Sequence, residues 1–256
     1  RRPPRSTLFP STTLFRSEAT TFFYLLYSNV IITTWAMLAV IYSFKALSYQ
    51  GVELQKKWIW ISIGLAFWAV ASIIWAYYQL FDDVELPYPS LADVFWLVGY
   101  IPLLIGTSLY SFSIKKRLSP AALIRLALYS SIGFFLTFIF LLLPIAITPV
   151  DEDFTLLQKY VSLLYPILDL ILIPLIIGLY LKKKGEIRSH VWLFLTIGMG
   201  FIIVLDVFFA YMDWNGLISN WSLLDLVEVC ANFFLTLGAV YFRVENRNPK
   251  AVQSMQ

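Results

Sequence analysis

VWLFLTIGMGFIIVLDVFFAYM, residues 191–212, carries a single charged side chain, Asp206, and no proline. At 1.5 Å per residue a helix of this length is about 33 Å long. That matches the roughly 30 Å hydrocarbon core of a bilayer. A membrane strand would be about ten residues long and would alternate in polarity, and this stretch does neither. Backbone N–H and C=O groups in lipid must be satisfied within the segment, so the run reads as a transmembrane helix.

Six further stretches read the same way. The expected spans are 21–44, 58–80, 91–113, 121–147, 160–181, 191–212 and 222–242. The 256-residue chain is 59% hydrophobic with a mean hydropathy of +0.74 and only 14% charged residues. Soluble domains average about 45–50% apolar and about 25% charged, and no tract here is long enough for a second, soluble domain. The expected fold class is an all-α integral membrane protein with seven transmembrane helices, occupying residues 18–242. Residues 243–256 are read as a cytoplasmic tail.

The net charge of +3 reflects loop asymmetry, and no nucleic-acid partner is expected. Loop 1–2 holds Lys45, Lys56 and Lys57, and loop 3–4 holds Lys115, Lys116 and Arg117, with Arg125 just beyond. Loop 5–6 holds Lys182, Lys183, Lys184 and Arg188, and the tail holds Arg243, Arg247 and Lys250. The alternate loops hold Asp82, Asp83, Glu85, Asp151, Glu152, Asp153 and Asp213, with Lys159 their only basic residue. Lys and Arg concentrate on the cytoplasmic side. The expectation is a multi-pass protein of the cell (cytoplasmic) membrane, N-terminus outside and C-terminus in the cytoplasm.

Residues Thr7 to Ser17, TLFPSTTLFRS, resemble the translation of a sequencing adapter, TLFPYTTLFRS, and differ from it only at Ser11. Residues 1–17 are therefore expected to be a sequencing artefact on a metagenomic fragment, and the tail is expected either to stop short of an output domain or to belong to a standalone protein that acts through a partner.

A repeat runs through the spans. Leu25-Leu26-Tyr27, Tyr42 and Lys45 recur as Leu163-Leu164-Tyr165, Tyr180 and Lys183. Trp75-Ala76-Tyr77 recurs as Phe209-Ala210-Tyr211, and Asp93 with Gly106 recurs as Asp225 with Gly238. Helices 1–3 and 5–7 thus read as a parallel 3+1+3 internal repeat with helix 4 as connector. In transporters with such repeats, ligand sites lie between the halves.

The candidate site comes from acids in lipid. Asp93, Asp169, Asp206, Asp225 and Glu228 lie inside or at the edges of spans, all in the outer half or at the midplane. A charge at the bilayer centre costs about 2.5–3.5 kcal/mol on insertion scales, and no Lys or Arg lies deep in a span. These acids must be protonated, face water or receive hydrogen bonds. Asp93, Trp96 and Tyr100 share a helix face, as do Asp225, Glu228 and Asn232, and Tyr165 lies one turn before Asp169. Together they are expected to line an acidic, aromatic pocket for a small ligand, a cation or a proton. The competing reading makes each acid a structural hydrogen bonder, with Asp93 and Asp225 capping helices after Ser90 and Ser222. Trp58, Trp60, Trp192, Trp214 and Trp221 sit near span ends and read as interfacial anchors.

One cysteine, Cys230, and one histidine, His190, do not make a zinc site or a b-type haem site, and no cofactor is expected. Residues 222–242 contain no Lys, which excludes a retinal Schiff base in the last helix. Asp169 and Asp206 lie on consecutive helices like an aspartyl-protease pair, but Gly198-Met199-Gly200 is followed by Phe201 rather than Asp. No enzymatic activity is expected.

YPSLADVFWLVGYIPLLIGTSLY (Tyr88 to Tyr110), YPILDLILIPLIIGLYL (165–181), LDVFFAYMDWNG (205–216) and WSLLDLVEVCANFFLTLGAVYF (221–242) resemble the multi-helix N-terminal membrane regions of bacterial diguanylate cyclases and histidine kinases. The resemblance implies a membrane sensory input domain that passes a signal to a cytoplasmic signalling domain or protein. By position, Asp93, Asp169, Asp206 and Asp225 match the recurrent acids of those regions. A small-solute transporter is the alternative that the repeat favours.

Overall fold

The computed structural model describes residues 18–48, 52–81, 88–114, 117–147, 150, 155–183, 189–214 and 223–247. Residues 1–17 and 248–256, most of the acidic connections, and Lys115, Lys116, Lys184, Arg188, Lys250, Trp221 and Ser222 lie outside these, as do the expectations placed on them. The described residues are almost all helical, with no strand among them. We name the helices α1 (Glu18–Leu47), α2 (Val52–Phe81), α3 (Leu91–Ser113), α4 (Pro120–Ile147), α5 (Leu156–Lys183), α6 (Ser189–Trp214) and α7 (Leu223–Arg247). All seven are long and apolar enough to cross a membrane.

Six of them close a ring in the order α1, α2, α3, α5, α6, α7, with α7 returning to α1. Helix α4 stands outside, against α5, and none of its residues from Pro120 to Thr137 is buried. Within α4, Phe138–Leu142 forms a π-helical turn, and the Leu143 N–H reaches back to the Phe138 carbonyl. Pro144 follows directly. Proline has no N–H to give and its ring crowds the carbonyl four residues back, and a widened turn relieves both problems. Helices α3 and α5 instead continue unbroken through Pro102, Pro166 and Pro174.

Small residues set the closest approaches. A Cβ on Gly64 would lie 2.5 Å from Leu103 Cγ and 3.0 Å from the Gly99 carbonyl oxygen. A Cβ on Gly99 would lie 2.5 Å from Trp68 Cδ1. The α6–α7 pair meets similarly, with Gly198 against Leu235 and the Ala231 carbonyl, and Gly238 against Leu195. Close backbone approach is how helices gain packing energy in lipid, where burial from water supplies none. Gly99→Ala is expected to cost about 1–3 kcal/mol by overpacking. Gly200, with nothing within 4 Å of its Cβ position, should accept Ala at no cost or with a small gain in helix propensity. Chemical unfolding of the two variants in lipid nanodiscs checks this, and equal stabilities would contradict the close α2–α3 contact.

The ends where α1, α3, α5 and α7 start form the upper end of the ring. At the lower end, Trp58, Tyr110, Trp192 and Phe242 pack together in the ring's interior. Phe242 stacks on Trp58 with centroids 3.5 Å apart, and Tyr110 meets Trp192 edge-on at 5.0 Å. All four are buried, and Trp58 Nε1 donates to the Ser43 carbonyl at 3.1 Å. This corrects the expectation for Trp58 and Trp192, which are core residues and not interfacial anchors. Trp60, more than a third exposed on the outer face, keeps a position suited to an anchor.

Candidate functional site

Above the aromatic layer the interior is filled by apolar side chains, among them Ile61, Leu65, Leu103, Leu195, Met199 and Leu235. Above these the ring opens into a cavity of about 130 Å³ in its upper half. Eight of the nine candidate residues line it: Asp93, Trp96, Tyr100, Tyr165, Asp206, Asp225, Glu228 and Asn232. The ninth, Asp169, sits directly behind Tyr100 and is 1% exposed.

The acids divide by how well they are satisfied. Asp93 Oδ2 accepts from the Ser90 backbone N–H at 2.6 Å and the Ser90 hydroxyl at 2.8 Å. Its Oδ1 accepts from the Tyr165 hydroxyl at 2.8 Å. Asp93 thus caps α3 and ties α3 to α5, which is the structural role foreseen as the alternative. Asp225 Oδ2 accepts from the Tyr24 hydroxyl at 2.7 Å, tying α7 to α1. Asn232 is occupied within its own helix, where its amide donates to the Glu228 carbonyl at 3.1 Å. Glu228 is half-buried on the cavity wall, which Ser72 also lines.

Asp169 and Asp206 converge on a single donor. The Tyr100 oxygen lies 2.7 Å from Asp169 Oδ1 and 3.0 Å from Asp206 Oδ2. The two carboxyl groups thus share one hydroxyl, and no donor among the described residues reaches Asp169 Oδ2. A phenol carries one hydrogen, so it cannot satisfy both carboxylates fully. The trio is short of one positive or hydrogen-bearing group.

The α2 side of the cavity was not foreseen. Trp68, Ser72, Trp75 and Gln79 all line it, spaced i, i+4, i+7 and i+11 along one helix face. Trp75 stands 5.8 Å from Trp96 at 57° and 6.4 Å from Phe209 at 79°, centroid to centroid. Tyr88 closes the corner 5.7 Å from Phe209, with its hydroxyl 2.9 Å from Ser162 Oγ. The signal was present as a polar-aromatic stripe on an otherwise apolar helix. It went unread because α2 carries no acid within its apolar span. The expected equivalence of Tyr27 with Tyr165 does not hold for the side chains. Tyr27 is 69% exposed, and Tyr24, one turn earlier, makes the bond to Asp225.

Helices α3 and α5 are linked at three heights. Tyr165–Asp93 lies at the top and Tyr100–Asp169 about two turns below. Near the lower end Lys182 Nζ donates to the Ser111 carbonyl at 2.8 Å. From Asp93 to Ser111 is about 27 Å along the helix, so one helix pair connects the cavity to the lower end. No known family, curated protein or solved structure matches this chain.

Proposed function

We propose that this chain is a multi-pass input domain of the cell membrane, which detects an external or in-membrane signal in its upper cavity and passes it to a cytoplasmic output or partner. The observation that carries the reading is the cavity's position. Four of the five intramembrane acids line it, with Asp169 directly behind; the cavity lies in one half of the ring and is separated from the other end by a packed apolar and aromatic layer. A site open from one side, joined to the opposite end by the cross-linked α3–α5 pair, suits signal transfer better than passage. The excess of Lys and Arg in the loops at the lower end supports a cytoplasmic position for it.

Two experiments test this. A reporter fused after Gln256 is expected to be cytoplasmic and one inserted beside Glu152 external; the opposite labelling by an impermeant reagent would overturn the orientation. Neutralising the cavity by Asp206→Asn is expected to change amide hydrogen exchange about threefold or more at the lower ends of α5 and α6, through a shift between two packings. A change confined to the cavity walls would remove the sensor reading.

A transporter is the second reading, and the repeat favours it. We read α1–α3 and α5–α7 as equivalent units. In support, Trp58, Ile61 and Gly64 correspond to Trp192, Leu195 and Gly198 at a constant offset, and Gly99, Leu103, Gly106 and Tyr110 correspond to Ala231, Leu235, Gly238 and Phe242 at another. The glycine contacts match: Gly64 meets Leu103 and Gly106 meets Ile61, as Gly198 meets Leu235 and Gly238 meets Leu195. The same offsets pair Ser72 with Asp206, Trp96 with Glu228 and Tyr100 with Asn232 across the cavity. Solute uptake into proteoliposomes would favour this reading over the first.

A further inference from the structure

The correspondence across the cavity is positional and not chemical. At equivalent heights the α2–α3 wall presents Trp68, Trp96 and Tyr100 where the α6–α7 wall presents Ile202, Glu228 and Asn232. One wall is therefore mainly aromatic, and the other carries Asp206 and Glu228. Among the described residues no Lys or Arg lines the space between them. Behind it, the nearly inaccessible Asp169 shares the Tyr100 hydroxyl with Asp206, which is on the wall, and no donor among the described residues reaches its Oδ2. The cavity thus has carboxyl groups without a basic partner among its described lining on one side and aromatic faces at differing tilts on the other.

We propose that this cavity binds a small organic ammonium ion, held between the Asp206 and Glu228 carboxylates and the corner formed by Trp75, Trp96 and Phe209. The inference rests on the reading of the cavity as a ligand site and names the class of ligand. Aromatic faces attract cations within about 6 Å of the ring centroid, most strongly when water is excluded. The three rings are spaced 5.8 and 6.4 Å apart, so one cationic head can approach more than one face. A bare divalent ion fits poorly, because it needs several oxygens at one point and no three acidic, His or Cys side chains among the described residues converge on one. Size sets the upper limit. A cavity of about 150 Å³ holds benzene, so 130 Å³ suits an ammonium head group no larger than benzene, such as the trimethylammonium end of choline or a short alkylammonium, and excludes a bulky solute.

The test uses the full chain in phosphatidylglycerol nanodiscs, which contain no ammonium group. Choline chloride is titrated against its neutral isostere 3,3-dimethylbutan-1-ol and against sodium chloride, with intrinsic tryptophan fluorescence and unfolding temperature as readouts. Saturable binding of choline, with binding of the isostere weaker by about tenfold or more, supports the proposal. Equal binding of the isostere overturns it, as does no saturable response to choline, ethylammonium or phenethylammonium. This comparison needs no variant. Glu228→Gln and Trp96→Leu should each weaken choline binding about tenfold or more, and unchanged affinity in both folded variants also overturns the proposal. Repeating the titration in phosphatidylcholine nanodiscs separates the sources. Competition there identifies a lipid headgroup as the occupant, and an unchanged curve identifies the free cation. Choline binding without any exchange change at the lower end would strike the sensor reading and leave the ammonium site. Remote coupling in Asp206→Asn without ammonium binding would do the reverse.

Discussion

Asp169→Asn is expected to leave the bundle as stable as the parent chain or more stable, by up to about 1.5 kcal/mol. Removing a buried acid usually has the opposite sign, because its hydrogen-bond partners are left unmet. Here the acid is the group left unmet. Tyr100 offers one hydrogen to Asp169 Oδ1 and Asp206 Oδ2 at 2.7 and 3.0 Å, and Asp169 Oδ2 receives nothing. An Asn side chain keeps an acceptor for Tyr100 and brings N–H donors for Asp206. It therefore carries permanently the hydrogen that the two acids must otherwise obtain from a bound proton or cation. Interhelical hydrogen bonds in membranes average only about 0.6 kcal/mol, so the gain is small and its sign is what matters. Tyr100→Phe should behave oppositely and cost about 1–3 kcal/mol, because it strips the shared donor from both carboxyls. Adding Asp169→Leu to Tyr100→Phe should recover much of that loss, since removing both partners is cheaper than removing one. Because the Asp169→Asn variant already carries the missing hydrogen, Asp206→Asn should add little remote exchange change in that background, a non-additive result for two residues sharing one donor. Equilibrium unfolding of these variants, with hydrogen exchange on the two Asp→Asn changes singly and together, decides it. A loss above about 1.5 kcal/mol for Asp169→Asn would mean the trio does not lack a hydrogen.

The helices were legible because long apolar runs have no competing fold, and the acids because a charge among such runs is costly enough to need a reason. Height along the bundle was legible too. Counting residues from the loops placed all the acids in the upper half, where the cavity lies. What an apolar helix conceals is azimuth, since lipid-facing and core-facing positions draw on the same residue types. Trp58 and Trp192 lie near helix starts, which fixes their height, but their rings turn inward to Tyr110 and Phe242. Tyr24 and Tyr27 are one turn apart. The repeated Leu-Leu-Tyr selects Tyr27, whereas Tyr24 faces Asp225. The α2 stripe of Trp68, Ser72, Trp75 and Gln79 was readable in principle, because a Ser and a Gln on one face of such a helix are themselves expensive in lipid.

Trp58→Ala should be the most destabilising single substitution in the ring, at about 3 kcal/mol or more. Trp58 is 0% exposed. It stacks on Phe242 at 15°, meets Tyr110 edge-on and donates to the Ser43 carbonyl, so it joins α1, α2, α3 and α7 at one height. In a soluble core a Trp→Ala change costs about 3–5 kcal/mol, combining lost transfer energy with the cavity left behind. In lipid the transfer part fades, because separated helices expose the ring to acyl chains and not to water. The cavity and the lost ring contacts remain, each aromatic pair contributing about 0.5–1.5 kcal/mol, and the estimate therefore falls at the lower end of the range. The Ser43 carbonyl keeps its helical bond, so losing the indole N–H adds little. Phe112→Ala is the matched control. Phe112 is 85% exposed on the outside of α3 and should cost under about 0.5 kcal/mol. Unfolding of both variants in the same nanodiscs gives the comparison. If the two losses were equal, the aromatic layer would be a surface feature and would not close the lower end of the ring.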